Sequence, residues 1–147
     1  MSLKNSVGMV AKQGPNNGHD YMRELHGSNF QRAMIAEINA AYQPALIVMD
    51  GVEAFISGGP AKGRKASSQV VLAGTDRVAM DAVGVALLRY HGNTTNVSKG
   101  AIFDQDQIAR AVELGLGVDG PEQIELLTDD EPSQTYAHEI REILLAG

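Results

Sequence analysis

The stretch MDGVEAFISGGPAKGRKASSQVVLAGTD, residues 49–76, decides the fold class of this chain. It begins at the end of one apolar run, ALIVMD, and it contains a second one, SQVVLAG. Short apolar runs that are rich in branched residues and bounded by turn signals are typical of strands buried on both faces. The stretch therefore predicts two central strands, joined by a loop over residues 51–67 that is roughly three times the usual connection length.

Helical patterns surround these two strands. Four segments carry apolar residues at helical spacing, namely residues 28–42, 75–92, 104–117 and 131–147. Asp76 and Asp104 are the expected N-caps of the second and third helices, and Ser28 with Gln31 has the form of a capping box. Pro132 suits the first turn of the last helix.

Two further segments, residues 6–12 and 122–129, alternate apolar and polar residues and predict edge strands. The resulting order mixes strands with helices, which favours an α/β layered domain. We predict a small, mostly parallel or mixed sheet of about four strands covered by about four helices. Residues 1–147 are expected to form a single domain, either complete or a fragment of a longer chain.

The composition excludes several classes of protein. A net charge of -6 argues against a nucleic-acid partner, which needs an excess of Lys and Arg on one face. The absence of cysteine removes disulfides, thiolate zinc sites and any iron–sulfur cluster held by this chain. The sequence has no apolar run of the roughly 20 residues that span a membrane, so we expect a cytoplasmic protein without membrane contact.

The connection over residues 51–67 does not match a phosphate-binding P-loop. Gly58 and Gly63 have the spacing of G-x-x-x-x-G-K-[ST], but Arg64 and Lys65 stand where the motif needs Lys and then Ser or Thr. The segment that follows predicts a strand, whereas a P-loop leads into a helix. The dinucleotide fingerprint G-x-G-x-x-G is absent from the sequence too, so neither nucleotide motif is present.

The same connection supports a weaker hypothesis of ligand binding. Asp50 closes the first apolar run, and ligands of open α/β sheets bind beyond such strand ends, where this carboxylate would act as a base or a metal ligand. Gly58, Gly59 and Pro60 allow a sharp turn close to a ligand, and cations that include Lys62 would attract an anion. The alternative is that Asp50 belongs to a turn and that the cations are solvated.

Two aspartates lie at the start of the second helical pattern. Asp76 is explained by its role as an N-cap. Asp81 follows Arg77 by four residues and can pair with it on the helix surface. Because the neighbours of Asp81 are apolar, a buried and ligand-binding Asp81 is the alternative.

The histidines suggest a metal site only through their position. His19 and His26 precede the first helical pattern and would join Asp50 in space, since imidazole and carboxylate suit zinc, iron or manganese. Their separation of seven residues has no metal-motif geometry of its own. His91 and His138 are expected to be structural.

Four segments together resemble a known family. They are, in this order, LKNSVGMV, IVMDGVEAFISGGPAKG, LAGTDRVAMDAVGVALL and ARAVELGLGVDGPEQIEL, and the resemblance that they carry extends over nearly the whole chain. The chain is similar to domain-of-unknown-function family 362, an uncharacterised family associated with iron–sulfur proteins. The patterns D-G-x(n)-G-P and D-x-V-A-x-D are the most specific parts of the likeness.

The resemblance implies an α/β domain of a redox-linked protein, here the larger C-terminal part without the ferredoxin-type cysteines that many members carry. It also implies a ferredoxin-type domain or subunit as the partner. The residues on which it puts weight are Lys4, Asn5, His26, Asp50, Gly59, Pro60, Asp76 and Asp81, and all of them except His26 lie in the matching segments.

These observations favour a domain that binds a small anionic ligand or a metal as part of a redox-linked protein. Asp50 is the candidate catalytic residue, and the expected ligand-binding residues are Lys4, Asn5, Asp50, Gly58, Gly59, Pro60, Lys62 and Asp81. We expect Asp50, the glycine-bearing connection and the two histidines to share one hollow. Two other classes stay open, a non-catalytic interaction domain that docks a ferredoxin domain or a second subunit, and a metal-dependent hydrolase or isomerase.

Overall fold

A computed structural model describes residues 1–59 and 61–147. In this part of the chain the α-helices are α1 (Ser2–Asn5), α2 (Tyr21–Gly27), α3 (Gln31–Ile38), α4 (Arg77–Tyr90), α5 (Asp106–Glu113) and α6 (Glu131–Ala146). The strands are β1 (Ile47–Gly58) and β2 (Gly63–Gly74), and short 3₁₀ helices cover Ser6–Met9, Asn39–Ala41, Asn96–Ser98 and Pro121–Gln123. The mixed α/β class is confirmed, but the described residues form a two-stranded antiparallel sheet in place of the predicted four strands.

β1 and β2 form a long hairpin where the sequence predicted a loop. Each strand has 12 residues, and the pairing runs from Ile47 with Gly74 to Gly58 with Gly63. The predicted loop over residues 51–67 is therefore wrong, because strand pairing continues through it up to a tight turn. Gly58 and Gly59 have φ angles of 67° and 91°, which a side chain would disfavour. Strands joined by so short a turn must run antiparallel.

A β-bulge in β2 lies opposite Val52, next to Gly51 of β1. The register shifts between Gly51 and Glu53, and the side chain of Asp50 accepts a hydrogen bond from the Val52 N–H at 2.9 Å. A Cβ at Gly51 would lie 2.8 Å from Cγ2 of Val70, so the close approach of the strands requires glycine here.

α4 is the central helix of the domain. Ten of its 14 residues are buried, and the side chain of Asp76 accepts hydrogen bonds from the N–H groups of Val78 and Ala79, both at 2.8 Å. The predicted Asp76 cap is thus confirmed. A Cβ at Gly84 would lie 3.3 Å from the Met49 side chain of β1, which shows how closely this helix packs on the sheet.

The apolar core gathers around α4 and draws on every α-helix. Buried side chains of this cluster extend from Leu3 in α1 to Leu144 in α6. α6 begins as predicted, with Pro132 in its first turn and the Asp130 side chain accepting a hydrogen bond from the Ser133 N–H at 2.7 Å. Every helix in the described part of the chain is too short or too polar to cross a membrane.

Two segments near the N-terminus differ from the prediction. The strand predicted over residues 6–12 is wrong, because Ser6–Met9 is a 3₁₀ helix that continues α1 and keeps Leu3 and Val7 buried on one side. α2 lies before residue 28, where the first predicted helical segment begins, and was not predicted. The side chain of Asp20 caps α2 by accepting from the N–H groups of the next turn.

Two helix starts and one ion pair also differ. α3 begins at Gln31, whereas the capping-box pattern predicted a start near Ser28. The N-cap of α5 is Gln105, so the predicted Asp104 cap is wrong. Arg77 does not pair with Asp81. Its guanidinium donates to the backbone carbonyls of Asn39 and Tyr42, at 2.5 and 2.7 Å, because this arginine is buried beneath α3.

Candidate functional site

A groove of about 590 Å³ separates β2 from residues 124–128. One wall is β2 over residues 69–74, and the other wall is the segment 124–128. α4 and α6 form the floor, mainly through Ala79, Met80, Val83, Tyr136, Ala137 and Ile140. We call this feature the β2 groove, and its volume lies in the range of about 300–1,000 Å³ that is typical of ligand sites.

β2 turns an unpaired edge toward the groove. Among the described residues β1 is its one hydrogen-bonded neighbour, and β1 occupies the other edge. No backbone hydrogen bond links residues 124–128 to β2 in that part of the chain. An open edge presents a row of N–H and C=O groups that can pair with another extended segment. The groove therefore offers backbone hydrogen bonding along one side.

The opposite wall has a strand-like form without a strand partner. Ile124 has extended backbone angles of -97° and 121°, and its carbonyl accepts a hydrogen bond from Arg141 at 2.6 Å. Burial alternates here, since Ile124 and Leu126 face inward whereas Glu125 and Leu127 are exposed. The strand predicted over residues 122–129 is thus wrong, although the burial of its side chains alternates as the sequence pattern indicated. A strand needs a neighbour to pair with, and the groove lies where that neighbour would be.

Backbone strain occurs at one end of the groove. Gln69 lines it with a φ of 53°, the one positive φ among the non-glycine residues that the structure describes. This conformation costs a residue with a side chain about 1–2 kcal/mol. Gln69 is one of the two residues of β2 that lie opposite Val52 in a bulge, and it has the left-handed conformation that glycine usually takes in such bulges. Strain of this kind concentrates at binding sites, so it draws attention to this edge.

The groove and its rim are acidic. Asp76 and Glu125 are the charged residues that line it within the described part of the chain. Three exposed acids, Asp129, Asp130 and Glu131, follow directly after the wall segment. A molecule bound in the groove would therefore bind more tightly if it carried positive charge near residues 129–131.

Tyr136 brings a fixed hydroxyl group to the groove. Its hydroxyl lies 2.8 Å from Nε2 of His91, and its ring meets the ring of Tyr90 edge to face, with centroids 5.1 Å apart. Burial raises the pKa of the Tyr136 hydroxyl, which therefore stays protonated at neutral pH.

The face of the hairpin that turns away from α4 is bare. Val48 and Val71 are 63% and 66% exposed, whereas Met49 and Leu72 on the inner face are half-buried, so the prediction that both strands are buried on both faces is wrong. Large aliphatic side chains gathered on a sheet surface mark an interaction surface. This outer face borders the same strand edge as the β2 groove.

Most residues predicted from the connecting segment have structural roles. Asp50 lies on the outer face and holds the bulge, as described above, which favours the turn interpretation. Lys65 pairs with Glu53 at 2.9 Å, and Arg64 donates to the Gly92 carbonyl at 3.3 Å. Lys62 is exposed beside the hairpin turn that Gly58 and Gly59 form, and Pro60 lies outside the described residues.

The predicted metal residues are not brought together. His19 contacts Glu24 at 3.0 Å, and Nδ1 of His26 lies 2.8 Å from the Met22 carbonyl. Within residues 1–59 and 61–147, no three His, Asp or Glu side chains are grouped closely enough to hold a metal ion. His19, His26 and Asp50 do not line the β2 groove, so they do not share this hollow.

The predicted ligand-binding residues Lys4, Asn5 and Asp81 do not line the β2 groove. Nζ of Lys4 donates to the Leu25 carbonyl at 3.3 Å, and Asn5 is exposed. Asp81 is only 1% exposed, and its carboxylate accepts from the Leu3 N–H at 3.3 Å and from Nε2 of Gln107 at 3.2 Å. Burial raises the pKa of Asp81 to about 6, against the opposing effect of the N-terminal ammonium and these hydrogen bonds. Asp81 is therefore buried, as the alternative required, and its role in ligand binding stays a prediction.

The sequence did not predict several of the residues that line these sites. Gln69 and Gln107 gave no signal, because an unusual φ or a buried amide depends on tertiary packing. Tyr136 belongs to the helical pattern over residues 131–147, which gives no sign that its hydroxyl lies beside a groove and contacts His91. The alternation over residues 122–129 was the one usable signal, since it marked a segment suited to a sheet edge.

Comparison with known proteins identifies the family. Residues 1–86, more than half of the chain, match the family described as Domain of unknown function (DUF362). The chain therefore belongs to this family, as its resemblance implied. A search of curated proteins and a search of solved structures each found no match.

Proposed function

We propose that this DUF362 chain is a docking domain that takes an extended segment of a partner polypeptide into the β2 groove. The segment would pair with the open edge of β2 and lie between β2 and residues 124–128. The observation that carries the proposal is the unpaired edge of β2, which faces an apolar groove. Strand addition of this kind is a recurring mode of peptide recognition, in which main-chain hydrogen bonds supply affinity.

The shape of the groove supports a peptide better than a compact metabolite. Its floor is apolar along α4 and α6, so it would receive alternate side chains of an extended segment. The opposite wall already has the alternating burial of a strand. A docked segment would complete the sheet and would remove the exposed edge of β2 from solvent.

Charge narrows the kind of partner. The acids at Glu125 and at residues 129–131 lie along one wall and its end. The docked segment should therefore alternate β-branched apolar residues with Lys or Arg. Attraction between the segment and this rim would weaken as salt is added.

A synthetic peptide tests the proposal. The probe is a nine-residue peptide of alternating Val and Lys with a fluorescent label, and binding is followed by anisotropy. We expect saturable binding that weakens at higher ionic strength. A second peptide of the same sequence, with N-methyl groups on the amides of both edges, should not bind, because it cannot pair with β2. Equal binding of both peptides would contradict the proposal, since a merely acidic surface does not distinguish them.

A pair of variants on α6 locates the site. Ala137→Phe fills the floor of the groove, whereas Ala146→Phe places the same ring at an exposed position at the end of the same helix. The first variant should reduce peptide affinity about tenfold or more, and the second should leave it unchanged. Loss in both or in neither would place binding elsewhere on the molecule.

A separate measurement tests which polypeptide supplies the docked segment. We propose a different polypeptide, and the ferredoxin-type domain or subunit that the resemblance implies is a candidate if its docking strand is basic. Sedimentation velocity over a range of concentrations tests for a second copy of this chain. A dimer that the Ala137→Phe variant abolishes would show that self-association occupies the groove and would contradict this assignment.

A further inference from the structure

Gln69 is a strained residue on the open edge of β2. Every other positive φ among the described residues belongs to a glycine, whereas Gln69 has a φ of 53°. Glycine takes this left-handed conformation without the steric cost that a side chain adds. A glutamine at this position therefore indicates a contact that glycine cannot make.

The described part of the chain does not supply that contact. On the β1 side, Ser68 and Gln69 lie opposite Val52, whose side chain can neither donate nor accept a hydrogen bond. Other side chains of β2, such as those of Arg64 and Lys65, donate within the chain, but the amide of Gln69 has no hydrogen-bond partner among the described residues. Gln69 is exposed, so a molecule from solvent can reach it.

The other side of Gln69 is the unpaired edge of β2. Gln69 lines the β2 groove, and the edge that faces this groove is where the docked segment would pair. Residues that lie opposite each other on neighbouring strands have Cβ atoms about 4.5–5.5 Å apart. A segment paired with β2 would therefore bring its own groups within hydrogen-bonding reach of the Gln69 amide.

The bulge gives a reason for an amide at this point. Because Ser68 and Gln69 lie opposite Val52 alone, β2 bends here and its hydrogen-bond ladder is interrupted. A segment that follows the edge of β2 past this interruption would have a peptide group that the backbone of β2 does not pair. The side-chain amide of glutamine carries a carbonyl oxygen and N–H groups, which are the acceptor and donor types of a peptide group.

We propose that Gln69 is a specificity-determining residue of the β2 groove, and that its side-chain amide forms hydrogen bonds with an amide group of the docked segment. The inference rests on the docking function proposed above and names the chemistry that the segment brings to the bulge. A main-chain peptide group supplies such an amide, and so does the side chain of Asn or Gln. Charged side chains match Gln69 less well, because Lys only donates and a carboxylate only accepts.

Peptide binding to Gln69→Met tests the contact. Methionine has the length of glutamine and keeps a side chain at the strained φ, so this variant removes the amide alone. Its affinity for the alternating Val and Lys peptide should fall about fivefold or more if Gln69 binds a main-chain group. Peptides in which one Lys at a time is replaced by Gln test the side-chain source. One of them should then bind the unmodified protein more tightly, and this gain should be absent in Gln69→Met.

Gln69→Gly separates the contact from the fold. It removes both the amide and the strain, so it should unfold at a higher urea concentration than the unmodified protein and yet bind peptide as weakly as Gln69→Met does. Stability and affinity thus change in opposite directions, which a purely structural role for Gln69 does not predict. Gln134→Met, on the exposed surface of α6, should match the unmodified protein in both measurements.

The inference about Gln69 and the docking proposal fail through different results. Docking is supported if the unmodified protein binds the peptide and Ala137→Phe weakens that binding. Equal affinities of Gln69→Met and the unmodified protein for every peptide of the set would then overturn the role of Gln69 alone. If the unmodified protein binds none of the peptides, both proposals are overturned.

Discussion

Replacing Asp81 by asparagine should make the protein more stable at neutral pH and leave it unchanged in acid. The carboxylate is 1% exposed, and burial raises its pKa to about 6 from an ordinary value of 3.8. An asparagine has nearly the same shape and no charge. It can accept from the Leu3 N–H and, after rotation of the amide, donate to Oε1 of Gln107.

The sign and the size follow from proton linkage. Between about pH 4 and pH 6 the folded protein keeps a proton on Asp81 that the unfolded chain has released. The contribution of this residue to the free energy of unfolding therefore falls as the pH rises through this window. The interval between 3.8 and about 6 corresponds to about 3 kcal/mol, which is fully lost above about pH 7.

Urea denaturation followed by circular dichroism, at several pH values from about 4 to 8, measures this difference. Asp81→Asn and the unmodified protein should have equal stability near pH 4, and the variant should be about 3 kcal/mol more stable near pH 7.5. Asp129→Asn, which removes an exposed carboxylate, controls for net charge. The N-terminal ammonium, Arg32, Asp104 and Asp106 also face this region, so their charges must stay unaltered. A difference that does not vary with pH, or a variant that is less stable at pH 7.5, would refute the reasoning.

Three further substitutions test the local structure by the same urea assay. Gln69→Gly should stabilise the protein by about 1 kcal/mol, because it relieves the positive φ, and a loss of stability would show that the conformation is not strained. Gly51→Ala should destabilise it by about 1–3 kcal/mol, since the added Cβ meets Val70 at 2.8 Å, whereas Gly27→Ala, where a Cβ has open space, should have little effect. Asp76→Ala should cost about 2 kcal/mol, because the carboxylate caps α4 and also accepts from the Val118 N–H at 2.8 Å, and a neutral result would contradict that double role.

The helices were predicted best where local signals agree with tertiary packing. α4 combines the Asp76 cap with a long apolar run, and α6 combines the Asp130 cap with Pro132. Each is a strong local pattern that packing reinforces. α2 was missed because a short helix after a run of Gly, Pro and Asn has few residues with which to establish a period.

The sheet was harder, because pairing is not a local property. Both apolar runs were correctly identified as strands, but composition alone suggested a loop where β1 and β2 continue to the turn at Gly58. Residues 122–129 have the right alternation and no neighbour to pair with. Strand assignment therefore failed wherever it depended on a partner that the local sequence does not reveal.

The candidate sites show the same limit. Asp81 could be singled out because its neighbours are apolar, and it is indeed buried. Gln107 lies 26 residues away in the chain and meets it only through the packing of α5 on α4. Asp50 and the two histidines have suitable chemistry, but their positions in the fold keep them apart.

Backbone hydrogen exchange along β2 tests the docking proposal most directly. Exchange of the amides at residues 69–74 is measured by NMR with and without the alternating Val and Lys peptide, and with its N-methylated counterpart as the reference. The proposal predicts that the unmodified peptide slows exchange along this strand and that the N-methylated one does not. Unchanged exchange at β2 in the presence of bound peptide would contradict the claim that its open edge is the docking site.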